Sequence, residues 1–187
     1  MIKLKFNILK EDGEDIALFG LGLNKAITSN LDNVILLEDN KTKLINVANK
    51  LSKMDGGHNK FLESIVVWID AKLPEYVWSQ FDTYRIGISK QSESKMHTLM
   101  KDQLTQDDFE DDIDSELLIK LNILITNNEF DSLIKLLPMS FLQRRIITTN
   151  YKTLRSIYLQ RKHHKLKQWT YICNNIITQL KRPQWIE

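Results

Sequence analysis

The sequence predicts an α+β or mixed α/β domain, and three observations carry that expectation. Residues 2–8 alternate apolar and polar positions, residues 65–73 are rich in β-branched side chains, and from Ser115 onward apolar residues recur at helical spacing. Strands therefore open the chain, one helix interrupts them, and the C-terminal half is mostly helical. At 187 residues the chain suits a single domain, residues 1–187. A chain of that length buries roughly 70% of the surface its unfolded form exposes and needs no covalent staple.

The elements follow in order. Ile2, Leu4, Phe6 and Ile8 mark the first half-buried strand, and Glu11-Asp12-Gly13-Glu14-Asp15 is a turn. Gly20 and Gly22 weaken any regular element across residues 16–23. Val34-Ile35-Leu36-Leu37 predicts a short buried strand. Leu44, Val47, Ala48 and Leu51 give helical spacing, with Asn40 or Thr42 as the candidate cap and Asp55-Gly56-Gly57 as the stop. Phe61-Leu62-Glu63 fits one helical turn, residues 65–73 a strand, and Pro74 the opening of a short helix through residue 81. Thr83 to Ile88 predicts a strand, and Gln91 to Lys95 a polar loop. The acidic run from Asp102 to Glu116 is expected to be a solvated loop feeding a helix N-terminus, where negative charge is favoured. It lacks the turn glycine that a calcium loop requires. Leu117, Leu118, Leu121, Leu124 and Ile125 mark one helix. Phe130, Leu133, Ile134 and Leu137 mark the next, which ends at Pro138. Helices over residues 150–161 and 163–180 close the chain.

Composition excludes several classes. Charged residues make up 27% of the chain and the net charge is +2, so whole-chain charge gives no case for nucleic-acid binding. The basic run Arg161-Lys162-His163-His164-Lys165 beside Trp169 could serve single strands, but a basic helix connection with Trp169 in the core is the expected reading. A single cysteine, Cys173, excludes an internal disulfide and the cysteine-rich zinc sites, and its apolar helix stripe places it in the core. No metal is expected. The longest apolar run, Ile65 to Ile69, is far too short to cross a membrane. The first residues alternate instead of building a leader. A cytoplasmic protein is the expectation.

Three patches combine functional groups with tight punctuation: Gly56 to Glu63, Gln80 to His97, and Pro138 to His164. Taken singly, His58 reads as a loop histidine, Arg85 as a surface residue, and Arg144-Arg145 as surface ion pairs that contribute little. Neither a P-loop nor a Gly-x-Gly-x-x-Gly motif is present.

In order and spacing, the three patches resemble the flavin-dependent thymidylate synthases. Gly57-His58-Asn59-Lys60-Phe61-Leu62-Glu63-Ser64 fits that family's Gly-His-x-Ser-x-x-Glu-His segment at His58 and Glu63, while Lys60 and Ser64 depart. Gln80-Phe81-Asp82-Thr83-Tyr84-Arg85 fits Gln-x-x-Arg-His-Arg at its ends, with Thr83 and Tyr84 in place of arginine and histidine. Ser94-Lys95-Met96-His97 fits the Ser-x-Arg-Tyr loop after a one-residue insertion, with Met96 in place of arginine. Leu137-Pro138, Arg144, Asn150 and Arg161 repeat the family's C-terminal spacing, and Thr170 stands near its late arginine, with Lys167 nearby. The resemblance covers about residues 42–180 and is nearest to divergent phage versions.

The resemblance implies a mixed sheet, a homotetramer, FAD as cofactor and a pyrimidine nucleotide bound where subunits meet. It implies that Gln80, Arg85, Ser94 and Arg144 bind the nucleotide. It implies that His58, Glu63, Arg85, Asn150 and Arg161 line or support the flavin; no residue is assigned a catalytic role. The chemistry suits these residue types: arginine matches phosphate oxygens with a planar fork, and glutamine carries both a donor and an acceptor for an imide edge. Activation of a uracil ring needs positive charge where negative charge develops. Thr83, Tyr84, Met96 and Thr170 remove such groups, and Lys60, Lys90, Lys95 and Lys167 are the candidate replacements. Nucleotide binding without ordinary thymidylate synthesis is therefore the leading expectation. The alternatives are an active FAD-dependent methylating enzyme acting on deoxyuridine monophosphate, a phage protein that sequesters a host signalling nucleotide, and an interaction protein that keeps the fold alone.

Overall fold

The structure is a computed structural model and describes residues 3–23 and 38–187. The expected strand at Val34–Leu37 lies outside the described residues. Four strands form an antiparallel sheet in the order β1-β2-β4-β3: β1 is Lys5–Asp12, β2 Val66–Pro74, β3 Ile88–Ser92 and β4 Leu142–Asn150. Among the described residues there are eight α-helices, and the mixed α/β class with a mostly helical C-terminal half is borne out. The sheet is antiparallel, not mixed. Strand direction depends on the end from which each connection leaves, and residue patterns within single strands do not encode that.

The contacts divide the chain into two compact units. One gathers Met1–Phe6, Asp70–Tyr84 and Lys90–Ile146. It holds α3 (Glu75–Phe81), α4 (Lys95–Thr98), α5 (Ser115–Thr126) and α6 (Phe130–Leu136). Leu99, Leu104, Phe109, Leu121, Ile125, Leu133 and Phe141 form its helical core, with the Phe109 and Phe141 rings edge to face at 6.0 Å. The acidic run behaves as expected. Thr105 and Asp108 close a capping box, and the Asp114 carboxylate accepts from the Glu116 and Leu117 amides to start α5.

The other unit gathers Asn7–Ile69, Arg85–Ser89 and Ile147–Glu187. It holds α1 (Glu14–Leu23), α2 (Glu38–Leu51), α7 (Tyr151–Arg161) and α8 (Lys167–Gln179). The α8 stripe Trp169, Ile172, Cys173 and Ile176 is buried at helical spacing, so Trp169 and Cys173 are core residues. Trp185 packs against Phe61 and Tyr151 and donates to Asn49 Oδ1 at 2.7 Å. The Tyr151 hydroxyl donates to Glu11 Oε2 at 2.5 Å.

Three segments differ from expectation. Residues 14–23 form a helix despite Gly20 and Gly22, because Ala17, Leu18, Phe19 and Leu21 are buried and that burial offsets a glycine penalty of about 1 kcal/mol per residue. Residues 83–87 are a turn, β3 starts only at Ile88, and it takes in Gln91 and Ser92 of the expected polar loop, while Lys95 opens α4. Finally, β4 is an internal strand that no periodicity in Leu142-Gln143-Arg144-Arg145-Ile146-Ile147-Thr148-Thr149 announces. Its polar side chains are tolerated because their partners lie close by, as described below. No helix among the described residues is long and apolar enough to cross a membrane.

Candidate functional site

Within the first unit, polar groups concentrate on β2 and β4. Along β2, Val67, Ile69, Ala71 and Leu73 are fully buried, and Asp70 lies on the opposite face of the strand. A carboxylate in such an apolar strand needs cationic partners to remain charged. Two are supplied. Arg144 on β4 donates from Nε to Oδ1 and from Nη2 to Oδ2, each at 2.8 Å, and Lys5 on β1 donates to Oδ2 at 2.5 Å. The Asp70 side chain is 3% exposed and that of Arg144 is 54% exposed. The Arg144 fork holds the Asp70 carboxyl down at about 2, against burial, which alone would raise it, with Lys5 adding to the effect. The same pair raises the pKa of Arg144. The result is a guanidinium fixed at its inner edge and open at its outer one.

Ser94 follows Glu93, whose backbone meets that of Arg144. Glu93 N donates to Arg144 O at 3.1 Å, Arg144 N donates to Glu93 Oε1 at 2.9 Å, and Gln143 Nε2 donates to Glu93 O at 3.2 Å. The next residue, Ser94, occupies the N-cap position of α4, yet its side chain makes no capping hydrogen bond. Gln80 is half-buried on α3, which is tied to β4 by Trp78 Nε1 donating to Gln143 O at 2.9 Å. Gln80, Ser94 and Arg144 thus share one unit.

Arg144 and Arg145 each form an ion pair, as expected, but Arg144 pairs with the buried Asp70 and Arg145 is itself largely buried. Consecutive strand residues face opposite ways. Arg145 stacks over Trp78 at 4.4 Å and bonds both Asp82 oxygens at 3.0 Å. Burial alone would raise the Asp82 carboxyl, but Lys90 and Arg145 outweigh it and hold the pKa below its ordinary value. Lys90 bonds Asp82 at 3.0 Å and Lys95 bonds Glu75 at 3.0 Å, so these two of the four candidate replacement cations are already engaged. The Thr83 hydroxyl donates to Gln80 O at 2.7 Å, Tyr84 packs on Phe81, and Met96 and Thr170 are exposed.

Within the second unit, Gly56, Gly57, His58, Lys60 and Glu63 line a groove of about 730 Å³ against Ile16, Ala17, Gly20 and Leu21 of α1. Gly56 and Gly57 take φ values of 71° and 90°, left-handed geometry that favours glycine, and His58 is exposed beyond them. The exposed Glu63 pairs with Lys152 at 2.8 Å. Asn150 caps α7, its Oδ1 accepting from Thr153 N at 2.9 Å, and Gly87 of the Arg85-Ile86-Gly87 turn packs against it. Arg161 stands at the other end of α7, about 16 Å away at 1.5 Å per residue, with its guanidinium 4.7 Å from the Trp169 ring. Because Trp169 is fully buried, it offers no stacking platform for a nucleic acid. The structure therefore brings His58 and Glu63 to one groove, sets the turn that carries Arg85 against Asn150 through Gly87, and holds Arg161 apart at the far end of α7. Among the described residues no cluster of histidine, cysteine or carboxylate side chains could hold a metal.

The sequence reading overlooked Asp70, Lys5 and Glu93. Asp70 carried a signal, being a lone carboxylate within the apolar run of β2. Lys5 and Glu93 carried none, since only the sheet order brings them near Arg144.

Neither a protein-family model nor a curated protein matches the chain. Solved structures do. The flavin-dependent thymidylate synthase ThyX from Helicobacter pylori, complexed with FAD and dUMP, superposes with a TM-score of 0.79 at 17% identity, covering 98% of each chain. The UMP/dUMP methylase PolB from Streptomyces cacaoi, bound with 5-Br dUMP, superposes with a TM-score of 0.66 at 11% identity, covering 94% of this chain and 88% of that one. The chain has the fold of the flavin-dependent thymidylate synthases, as its three sequence patches implied.

Proposed function

We propose that the protein binds a uridylate-type pyrimidine nucleotide through Gln80, Ser94 and Arg144. The observation that carries this reading is Arg144, whose half-exposed side chain is locked by the buried Asp70 and whose backbone meets Glu93, the residue before Ser94, whose own side chain is not used for capping. A guanidinium held along one edge loses little freedom when a phosphate meets the other. Solved neighbours of this fold hold dUMP, 5-Br dUMP and 5-Br UMP, which supports the ligand class.

A flavin fits part of the second unit. The groove of about 730 Å³ lies in the size range of cofactor pockets, with an apolar wall on α1 and polar groups at His58 and Glu63. His58 and Glu63 of the groove, with Arg85 and Asn150, would hold it, Arg161 standing apart at the far end of α7, and FAD when bound supplies hydride chemistry. The residues that replace the family's charged groups, Thr83, Tyr84, Met96 and Thr170, make binding without ordinary thymidylate synthesis the favoured activity. A cytoplasmic homotetramer completes the proposal.

Calorimetric titration with dUMP tests the nucleotide assignment. Arg144→Lys keeps a cation for Asp70 but removes the fork, and Ser94→Ala removes one donor. Arg144→Lys should weaken dUMP by about 10- to 100-fold, the range for hydrogen bonds to charged groups, and Ser94→Ala by less. Unchanged affinity in both variants would refute it.

A further inference from the structure

The turn that presents Arg85 is tied down more firmly than its exposed position requires. Gly87 has φ +66°, and a Cβ there would stand 2.5 Å from Thr153 Oγ1 and 2.8 Å from Asn150 Nδ2. The turn thus lies directly on the first residues of α7, closer than any side-chain-bearing residue allows. Two hydroxyls fasten it. Thr149 Oγ1, on the buried end of β4, donates to Gly87 O at 2.9 Å, and Thr153 Oγ1 donates to Ile86 O at 3.2 Å. Thr153 is itself set by the Asn150 cap, since its amide donates to Asn150 Oδ1 at 2.9 Å. Thr149 is 3% exposed, which protects its bond from water. At the tip, Ile86 is 88% exposed, so no side-chain burial accounts for the turn's order. Two successive carbonyls, one glycine and one helix cap fix it.

We infer that Gly87, Thr149 and Thr153 are positioning residues that set Arg85 for its ligand. The inference rests on the reading above that Arg85 helps hold the flavin. The physical reason is entropic. An arginine on a loose surface turn must lose backbone as well as side-chain freedom when it meets an anion, and ordering the backbone opposes binding. A turn ordered in advance removes that part and leaves only the side chain to be ordered. Asn150 joins the device by a second route, because the side chain implied to support the flavin is also the cap that holds Thr153 in place.

Two readouts separate the device from the function it serves. Trypsin cleaves after Arg85, and release of the peptide ending there, followed by mass spectrometry, measures how often the turn opens. FAD binding, followed by quenching of flavin fluorescence, measures what the turn is for. The paired substitution Thr149→Val with Thr153→Val removes both hydroxyls at nearly constant shape. It should raise cleavage after Arg85 about tenfold and weaken FAD about tenfold, while Thr149→Ser keeps both near the starting values. In an Arg85→Ala background the same valine pair should change FAD affinity no further, since the effect runs through Arg85. Unchanged cleavage in the valine pair would overturn the latch. Faster cleavage with unchanged FAD affinity, or equal loss with and without Arg85, would overturn the positioning role. Arg85→Ala without effect, or no FAD binding by the unsubstituted chain, would instead overturn the functional reading and the positioning role with it, and the cleavage rates would still decide whether the turn is held.

Discussion

Asp70→Asn is the sharpest perturbation of the site. The Asp70 carboxyl is held at about 2 instead of its ordinary 3.8, chiefly by the Arg144 fork. Lowering a folded-state pKa by one corresponds to about 1.4 kcal/mol, so the ionised carboxylate contributes about 2 kcal/mol to stability at neutral pH. The sign follows from a depressed folded-state value. The contribution is complete above the unfolded value of 3.8 and disappears as pH falls through the folded value near 2. Asparagine has no proton to gain. The variant should therefore be less stable than the unsubstituted chain at pH 7 by about 2 kcal/mol, and the gap should close between about pH 5 and pH 2. Urea unfolding at a series of pH values, with equal denaturant slopes for both proteins, measures it. A gap that stays constant across that range would refute the reasoning, because the pair would then act through shape alone and not through charge.

Two further expectations concern the second unit. Gly13 has φ +92°, and a Cβ there would meet Ser64 O at 2.4 Å, so Gly13→Ala should destabilise the protein by more than about 1 kcal/mol, read from the same urea curves. Burial pushes the Cys173 thiol up to about 11, so a thiol-specific reagent at pH 8 should leave Cys173 unmodified in the folded protein and label it fully in denaturant.

The sequence was most informative where burial is periodic. The stripes at Leu121–Ile125 and Trp169–Ile176, the helix over residues 38–51 and the strand over residues 66–74 all follow from apolar spacing. It was least informative where polar side chains are buried by partnership. β4 went unread because Arg144 and Arg145 look like surface residues until Asp70 and Asp82 are placed on either face of the sheet. The helix over residues 14–23 went unread because two glycines speak against it locally, and only tertiary burial speaks for it. For the site, spacing found Arg144 and Ser94, and Glu93, the residue before Ser94, meets the backbone of Arg144. Spacing could not show that Arg144 is already engaged by Asp70, nor that Asn150 caps a helix, because both facts depend on which strands are neighbours. The turn at Arg85 was expected as strand. Its geometry depends on Gly87 lying against α7, a close approach that no local pattern reports.

Thermal unfolding with and without dUMP tests the central claim most directly. A ligand present at 100 times its dissociation constant stabilises the folded state by about 2.7 kcal/mol. For a chain of this size that raises Tm by about 5–10 °C. The account predicts such a rise with dUMP, a smaller one with inorganic phosphate, and most of the dUMP effect lost in Arg144→Lys. A Tm that does not move at millimolar dUMP would contradict it.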